Sequence, residues 1–560
     1  MPRVRQRPIA GAALCAGVFL VLAARGYGQA PGPARVIVDR FGPAAIERGI
    51  SPLQTRAPGT PNEMRRRSIR PASQAIDRAG RAGAAYRPGR VIVKFKDGAS
   101  PAAKSSAMSA VSRTAALSAR PDFANFDVVT IGADEDAESA ADAFRARADV
   151  EYAQPAYRVH PEFVPNDAFY KQGLQWNFPL IDLERAWDIQ PQAGSSITVA
   201  VVDTGVAYTS ATARFHANAF REDSDGFTEP PTGSGTLYPA LGDLTLSFAA
   251  ATELGPSSRF VKPHDFIWDD EMPLDLDGHG THVSGTIGQL TNNGSNGAGD
   301  TRNGGGTAGI AFNVKIMPVK VLDSDWDDIF GSPNVGTDDV VARGIRYAAD
   351  NGAQVINLSL GRTGPPAPVI EDAMKYAIGK GAFIAVAAGN DFDEGNPLEV
   401  LPEIASRIPG AVSVAGVDRA KGHASYSSTG SWVEVAAPGG DFGAFGAEGG
   451  ILQQTLDLDL VETFTLPVAQ FTAPRFDALA YFYFTGTSMA AAHVSGVAAM
   501  LMQQGITNPA AVEAALEQFT MPCSEAQNTC STSIAANRNN SYGFGLIDAR
   551  NALRGLGLSR

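Results

Sequence analysis

An aspartate, a histidine and a serine stand in three glycine-flanked segments: Val201-Val202-Asp203-Thr204-Gly205, Asp277-Gly278-His279-Gly280-Thr281-His282 and Gly486-Thr487-Ser488-Met489-Ala490. A serine hydroxyl is barely nucleophilic near neutral pH. It becomes an attacking group when an imidazole takes its proton and a buried carboxylate holds the ring's tautomer and orientation. Taken singly, each residue has an ordinary alternative: a turn or cap aspartate, a loop or metal-binding histidine, a helix-capping serine. Their conjunction carries the reading, because each falls where a predicted strand or glycine turn meets a helix, the positions at which α/β sheets collect ligands. The trio predicts a serine hydrolase.

These segments resemble those of the subtilisin-like serine proteases, the subtilases, and the resemblance runs over nearly everything after Pro165. It implies that Asp203, His279 and Ser488 form the catalytic triad. It also implies that Asn390, at the end of Ala385-Val386-Ala387-Ala388-Gly389-Asn390, donates its amide to the oxyanion. A neutral donor aimed at developing negative charge helps the transition state more than the ground state. Ser359, Leu360 and Gly361 resemble the family's edge segment, which pairs with a peptide substrate as an added strand; with Ala388 and Gly389 they are the expected substrate-binding residues. The implied activity is endoproteolysis of proteins or unfolded peptides through an acyl-enzyme. A catalytically silent binding relative and a serine esterase are the rival readings. Against the esterase, the chain lacks a G-x-S-x-G elbow, and its Asp, His, Ser order differs from that of the α/β-hydrolases.

Calcium is the one cofactor the resemblance suggests, in a structural role; none is required for the chemistry. Asp265 and Asp270 align with carboxylates of a loop preceding the histidine motif, although Leu274 replaces a further ligand, and Asp167 and Asn293 match a second site. Oxygen donors of this kind suit a hard cation. The acidic residues Asp391, Asp393 and Glu394 follow Asn390, near where the family walls its first specificity pocket, and suggest a basic or polar preference there. His282 and His493 are expected to pack rather than to catalyse. Met489, beside the nucleophile, would be open to peroxide in an open site.

With 560 residues, 44% of them hydrophobic, the chain can bury a large core. Charge is divided unevenly. Residues 1–160 hold 24 Lys and Arg against 14 Asp and Glu, a net +10, while residues 161–560 hold 22 against 45, a net −23. Two parts so charged should attract one another, and the acidic body argues against nucleic-acid binding.

Arg3, Arg5 and Arg7 before the apolar run 9–24 and a small-residue stretch ending at Ala30 predict an export signal over residues 1–30. That run is short for a membrane span, so no permanent anchor is expected, and the protein is placed as secreted, periplasmic or extracellular. Cys523 and Cys530, the cysteines beyond the signal, could close a small disulfide loop in an oxidising compartment.

Residues 31–85, rich in Pro, Gly, Ala and Arg, read as a flexible basic linker. Residues 86–160 read as a small α+β module: a strand at 90–96, a helix at 101–119, a strand at 126–131, a helix at 137–147 and a strand at 150–155. The module resembles the inhibitory propeptide of secreted subtilases, which implies a ferredoxin-like fold, an intramolecular inhibitor and self-processing between Ala156 and Pro165. Residues 161–560 form the expected catalytic domain, an α/β doubly wound parallel sheet of subtilisin type, with strands at 197–202, 314–322, 355–360, 383–388, 412–417 and 432–436. The segment 542–549 resembles the family's last helix, so no further C-terminal domain is expected. Ala492 replaces a proline usual in the family's serine motif. The long stretches 207–263 and 439–484 are expected to be surface loops rimming the cleft.

Overall fold

The computed structural model describes residues 36–40, 86–118, 124–132, 135–157, 163–222, 228–229, 235–293, 306–443 and 445–555. The predicted export signal lies outside them, as do residues 158–162 of the segment Ala156 to Pro165 in which processing is predicted. Among the described residues no helix is long and apolar enough to cross a membrane.

Apolar, β-branched runs bounded by glycine turns build the central sheet. Its strands are β1 (Thr198–Asp203), β2 (His264–Asp265), β3 (Lys315–Lys320), β4 (Val355–Leu358), β5 (Phe383–Ala387), β6 (Ala411–Val417) and β7 (Val435–Pro438), in spatial order β2-β3-β1-β4-β5-β6-β7. Every neighbouring pair is parallel. The strands β4, β5, β6 and β7 are buried at every position, as a sheet covered on both faces requires. The covering helices are α1 (His279–Gly288), α2 (Asp338–Asp350), α3 (Pro368–Gly379) and α4 (Thr487–Gln503). Helices α2 and α3 pack on each other, as do α1 and α4, and α4 lies across β4 to β7. The expected doubly wound α/β architecture is present, with the short edge strand β2 added to the six strands read from the sequence.

Strand order reverses between β1 and β4, so the carboxyl ends of these two strands open the crevice in which such sheets bind ligands. Asp203 is the last residue of β1, Ser359 follows β4, and Asn390 lies three residues beyond β5.

Residues 86–157 form their own four-stranded sheet around Tyr86–Phe95. That strand pairs antiparallel with Asp127–Thr130 on one side and Val150–Tyr157 on the other, and Ala116–Leu117 lies outside Asp127–Thr130. With helices Pro101–Val111 and Ala137–Arg145 it encloses a separate core that includes Val91, Val93, Val129 and Phe144. The first helix is shorter than the 101–119 predicted. Ser112 bonds to the Thr114 amide at 3.1 Å, a local hydrogen bond that competes with helix continuation, and the short strand follows.

Two stretches differ from expectation. Val36–Arg40, inside the predicted flexible linker, is a strand paired parallel with Ala211–Phe215. The two long segments expected to be surface loops contain paired strands that reach the core. In the first, Ala211–Ala217 pairs antiparallel with Gly242–Phe248, burying Ala211, Ala213, Phe215 and Ala217 while the intervening side chains face outward. In the second, Ile451–Leu456 pairs antiparallel with Leu479–Phe484 and packs on α1. Phe248 of the first stacks on Phe476 of the second at 4.9 Å. Near the carboxyl end, Cys523 and Cys530 are joined by a disulfide across a two-residue antiparallel pair.

Candidate active site

Asp203 and His279 come together across 76 residues. His279 Nδ1 lies 2.7 Å from Asp203 Oδ1, and both side chains are almost wholly buried. Asp203 Oδ1 also accepts the Thr204 N–H at 2.8 Å. Thr204 is fixed in turn: its hydroxyl donates to Asp275 at 3.1 Å and accepts the Gly280 N–H at 3.0 Å, so the loop after β1 is stitched to the first turn of α1. The approach is close enough to exclude a side chain at Gly280, where a Cβ would fall 2.1 Å from the Gly205 carbonyl oxygen.

Burial works against a charged His279 ring, but the carboxylate and hydrogen bond of Asp203, with the nearby charges of Asp277 and Asp275, outweigh it and raise its pKa above the ordinary histidine value. His279 Nε2 is buried with no hydrogen-bond partner among the described residues.

Ser488 is the second residue of α4, and its hydroxyl donates to the Ser359 carbonyl at 3.2 Å rather than to His279. The Ser359 hydroxyl donates back to the Ser488 carbonyl at 2.7 Å. Ser359 Oγ also accepts from Asn357 Nδ2 at 2.8 Å, and Asn357 Oδ1 accepts from Ser495 at 2.8 Å, so β4 and α4 are locked together beneath Ser488. Asn390 commits its carbonyl to the Thr487 N–H and hydroxyl, at 2.9 and 3.0 Å. That leaves its Nδ2 hydrogens as the amide's available donors beside Ser488. Leu360 and Ala388 are buried, and Gly361 and Gly389 follow them on the two adjoining segments.

His282 and His493 pack, as expected. His282 Nε2 lies 3.0 Å from the Ile451 carbonyl, and its ring stacks on Phe484 at 4.2 Å; burial lowers its pKa to about 3. His493 Nδ1 donates to the Met489 carbonyl at 2.7 Å, Nε2 lies 2.8 Å from Asn177 Nδ2, and burial lowers its pKa to about 4. Met489 is only 1% exposed, so its side chain is shielded from a dissolved oxidant.

The four candidate metal ligands fall into two settings. Asp265 Oδ1 caps the amides of Ile267 and Trp268 at 2.9 and 3.0 Å, and Asp270 Oδ1 accepts the Met272 N–H at 2.7 Å. The Asp265 charge helps to hold the buried Lys320 ammonium protonated, after Asp327. Asp167 Oδ2 accepts the Asn292 N–H at 3.0 Å, whereas Asp167 Oδ1 and Asn293 Oδ1 are buried with no hydrogen-bond partner among the described residues. The buried Glu253 also faces this place: a Cβ on Gly306 would lie 3.5 Å from Glu253 Oε1 and 3.7 Å from Asp167 Oδ1.

Two supporting groups are absent from the sequence reading. Glu253 lies in the long insertion and carries no motif. Lys320 is visible as a cation inside an apolar strand, Met317-Pro318-Val319-Lys320-Val321-Leu322. It is fully buried and donates to the Thr204 carbonyl at 2.6 Å and to Asp327 at 2.8 Å, anchoring the loop that holds Asp203.

The Subtilase family model matches residues 194–545, and the model of the Fervidolysin N-terminal prodomain matches residues 72–156. The thermophilic serine proteinase of Bacillus sp. (strain AK1) is 32% identical over 424 residues, which cover 76% of this chain and 80% of that protein. Thermitase of Thermoactinomyces vulgaris is 30% identical, covering 61% of this chain and 87% of its own length. An extracellular protease of Xanthomonas campestris pv. campestris is 29% identical, covering 76% and 68%.

Proposed function

The chain belongs to the subtilase family, and from that premise we infer that Asp203, His279, Ser488 and Asn390 form its acyl-transfer centre. It is a serine protease with an N-terminal prodomain. The observation that carries the assignment of residues is the 2.7 Å contact between Asp203 and a buried imidazole whose Nε2 is left without a partner among the described residues.

In this reading the Ser488 hydroxyl turns from the Ser359 carbonyl to His279 Nε2, gives up its proton there, and attacks the scissile carbonyl. Asp203 fixes the Nδ1–H tautomer and stabilises the imidazolium. Asn390 Nδ2–H and the Ser488 N–H bind the oxyanion. His279 then returns the proton to the leaving amine, and water releases the acyl group by the same steps in reverse order. Peptide main chain pairs with Ser359, Leu360 and Gly361 as an added strand, opposite Ala388 and Gly389.

The prodomain acts as an intramolecular inhibitor that the enzyme removes between Ala156 and Pro165, so that residues 31–160 leave the 161–560 body. Export is supported by the signal-like residues 1–30, by the Cys523–Cys530 disulfide, and by the extracellular relative. Asp167 and Asn293 would hold a structural Ca2+, a role supported by their two orphaned buried oxygens and by Glu253 beside them. The ion would fix the segment before the body to the loop at Asn293 and take no part in the chemistry. Asp265, which faces Lys320, is the weaker place for a cation.

The test is expression of wild type beside Ser488→Ala. Wild type should shed the prodomain and clear casein, whereas Ser488→Ala should remain a single chain and clear none. Processing of Ser488→Ala at the wild-type rate without added protease would contradict self-cleavage. Activity on simple esters with none on casein would favour the esterase.

A further inference from the structure

Behind the two segments that flank the substrate in the reading above lies an acid that the chemistry does not use. Glu399 caps the helix Val400–Ala405, and its backbone is laid against the continuation of Ser359-Leu360-Gly361: it bridges Thr363, and the Val400 N–H donates to the Arg362 carbonyl at 2.9 Å. Its side chain turns inward and is 3% exposed. A Cβ placed on Gly389 would fall 2.4 Å from both Glu399 Cγ and Oε1, and one placed on Gly361 would lie 3.5 Å from Oε2. Gly389, with φ of +104°, is therefore required twice over, for its backbone and for the carboxylate that fills the space a side chain would take. The carboxylate thus lies between the two glycine walls, one on each substrate-flanking segment.

A buried carboxylate is costly unless a cation or a set of hydrogen bonds compensates it. The basic residue whose backbone adjoins it is otherwise engaged: Arg362 forks onto Asp338 at 2.7 and 2.6 Å and donates to the carbonyls of Thr363 and Pro365 at 3.2 and 2.8 Å. Among the described residues no Lys, Arg or His forms an ion pair with Glu399. Its ionisable neighbour is another acid, Asp391; burial first, then the Asp391 charge and the hydrogen bond between the two side chains, raise the Glu399 pKa to about 8. Below that pH a proton keeps Glu399 neutral; an entering cation would take that proton's place, and none of the described Lys, Arg or His residues pairs with it.

We propose that Glu399 is the floor of the first specificity pocket and selects substrates carrying Lys or Arg immediately before the scissile bond. The proposal rests on the assignment of Gly361 and Gly389 to the two segments that flank the bound peptide. A Lys ammonium or Arg guanidinium entering between them would bring the missing counter-charge and be held by charge-assisted hydrogen bonds. Asp391, one residue beyond the oxyanion donor, adds a second negative charge to the same side. Glu399 is a specificity residue: it meets the substrate side chain and not the reacting atoms.

The experiment compares peptide p-nitroanilides that differ only in the residue before the anilide, Lys, Arg, Phe or Leu, on the processed enzyme and on Glu399→Gln. Wild type should favour Lys and Arg. The ratio of kcat/KM for Lys over Phe should fall about 100-fold in the variant, mainly through KM, as expected for loss of a desolvated charge pair. An unchanged ratio, or a wild type that favours Phe and Leu, would overturn the proposal. Wild type inert on all four anilides and on casein would instead strike at the catalytic assignment. If Glu399→Gln does not fold, benzamidine decides on wild type alone: competitive inhibition of Phe-anilide cleavage supports the acidic floor, and its absence contradicts it.

Discussion

Two buried carboxylates, Asp203 and Glu399, are treated in opposite ways. Asp203 has its permanent partner: His279 at 2.7 Å, the Thr204 amide at 2.8 Å, and a loop tied down by Lys320. Glu399 has an acid for a neighbour, a raised pKa and no basic partner among the described residues. Burial of charge is tolerated in the first case because the fold itself compensates it; in the second a raised pKa keeps the acid neutral below about 8 until a cation enters. An acid held by a permanent imidazole serves every substrate alike, whereas one without a basic partner among the described residues discriminates between substrates.

Replacing the first carboxylate should therefore be indiscriminate. Asp203→Asn keeps the shape but permits the wrong imidazole tautomer, and kcat should fall by about four orders of magnitude, equally for Lys and Phe anilides. A loss confined to one substrate class would erase the contrast. Asn390→Ala should also be indiscriminate, lowering kcat by about 10²–10³-fold, the effect measured for the corresponding donor of a subtilisin and carried over to this relative. The Glu399→Gln effect should come next in size and fall on the ratio between substrates.

The two acids should also separate by pH. His279 must be neutral to accept the serine proton, and its pKa is raised, so the acid limb of kcat/KM on Phe anilides should lie above the ordinary histidine value. Asp203→Asn, which removes the largest raising influence, should shift that limb to lower pH. Glu399 must be ionised to hold a cation, and its pKa is raised to about 8 by burial first and then by Asp391, while Arg362 is held by Asp338. Preference for Lys over Phe should accordingly grow as pH rises through about 8. A ratio flat from pH 6 to 10 would remove Glu399 from substrate recognition.

The smallest effect should come from a site remote from both acids. The Cys523–Cys530 loop spans a sequence separation of 7, so its removal in Cys523→Ser should cost about 2 kcal/mol by loop-closure entropy. Chemical denaturation in a Ser488→Ala background, which prevents self-digestion, measures this. Neither the substrate ratio nor the pH limbs should move.

The contrast also bears on what can be read from residues alone. The meeting of Asp203 with His279 is legible because both stand where a strand end or glycine turn meets a helix, and such punctuation survives in sequence. The six main strands are legible because buried parallel strands read as continuous apolar runs. Glu399 is not, since its meaning depends on contact with Gly361 and Gly389, which only the fold creates; the sequence points instead to Asp391, Asp393 and Glu394, simply because they follow Asn390. The insertions read as loops by their length, although Ala211–Ala217 alternates inward Ala and Phe with outward Thr, Arg and His, the period of a half-buried strand. That alternation is the better guide there than length outside the family pattern. Ile451–Leu456, buried at all six positions against α1, has no alternation to find, and its place under His282 is a tertiary fact.

The claim on which the rest depends is that His279, held by Asp203, activates Ser488. It is tested most directly by labelling the processed enzyme with a fluorophosphonate, mapping the modified peptide by mass spectrometry, and comparing the rate with that of Asp203→Asn. The expected result is a single adduct on Ser488, formed orders of magnitude more slowly in Asp203→Asn. An adduct on another serine, or an Asp203→Asn enzyme labelled as fast as wild type, would contradict it.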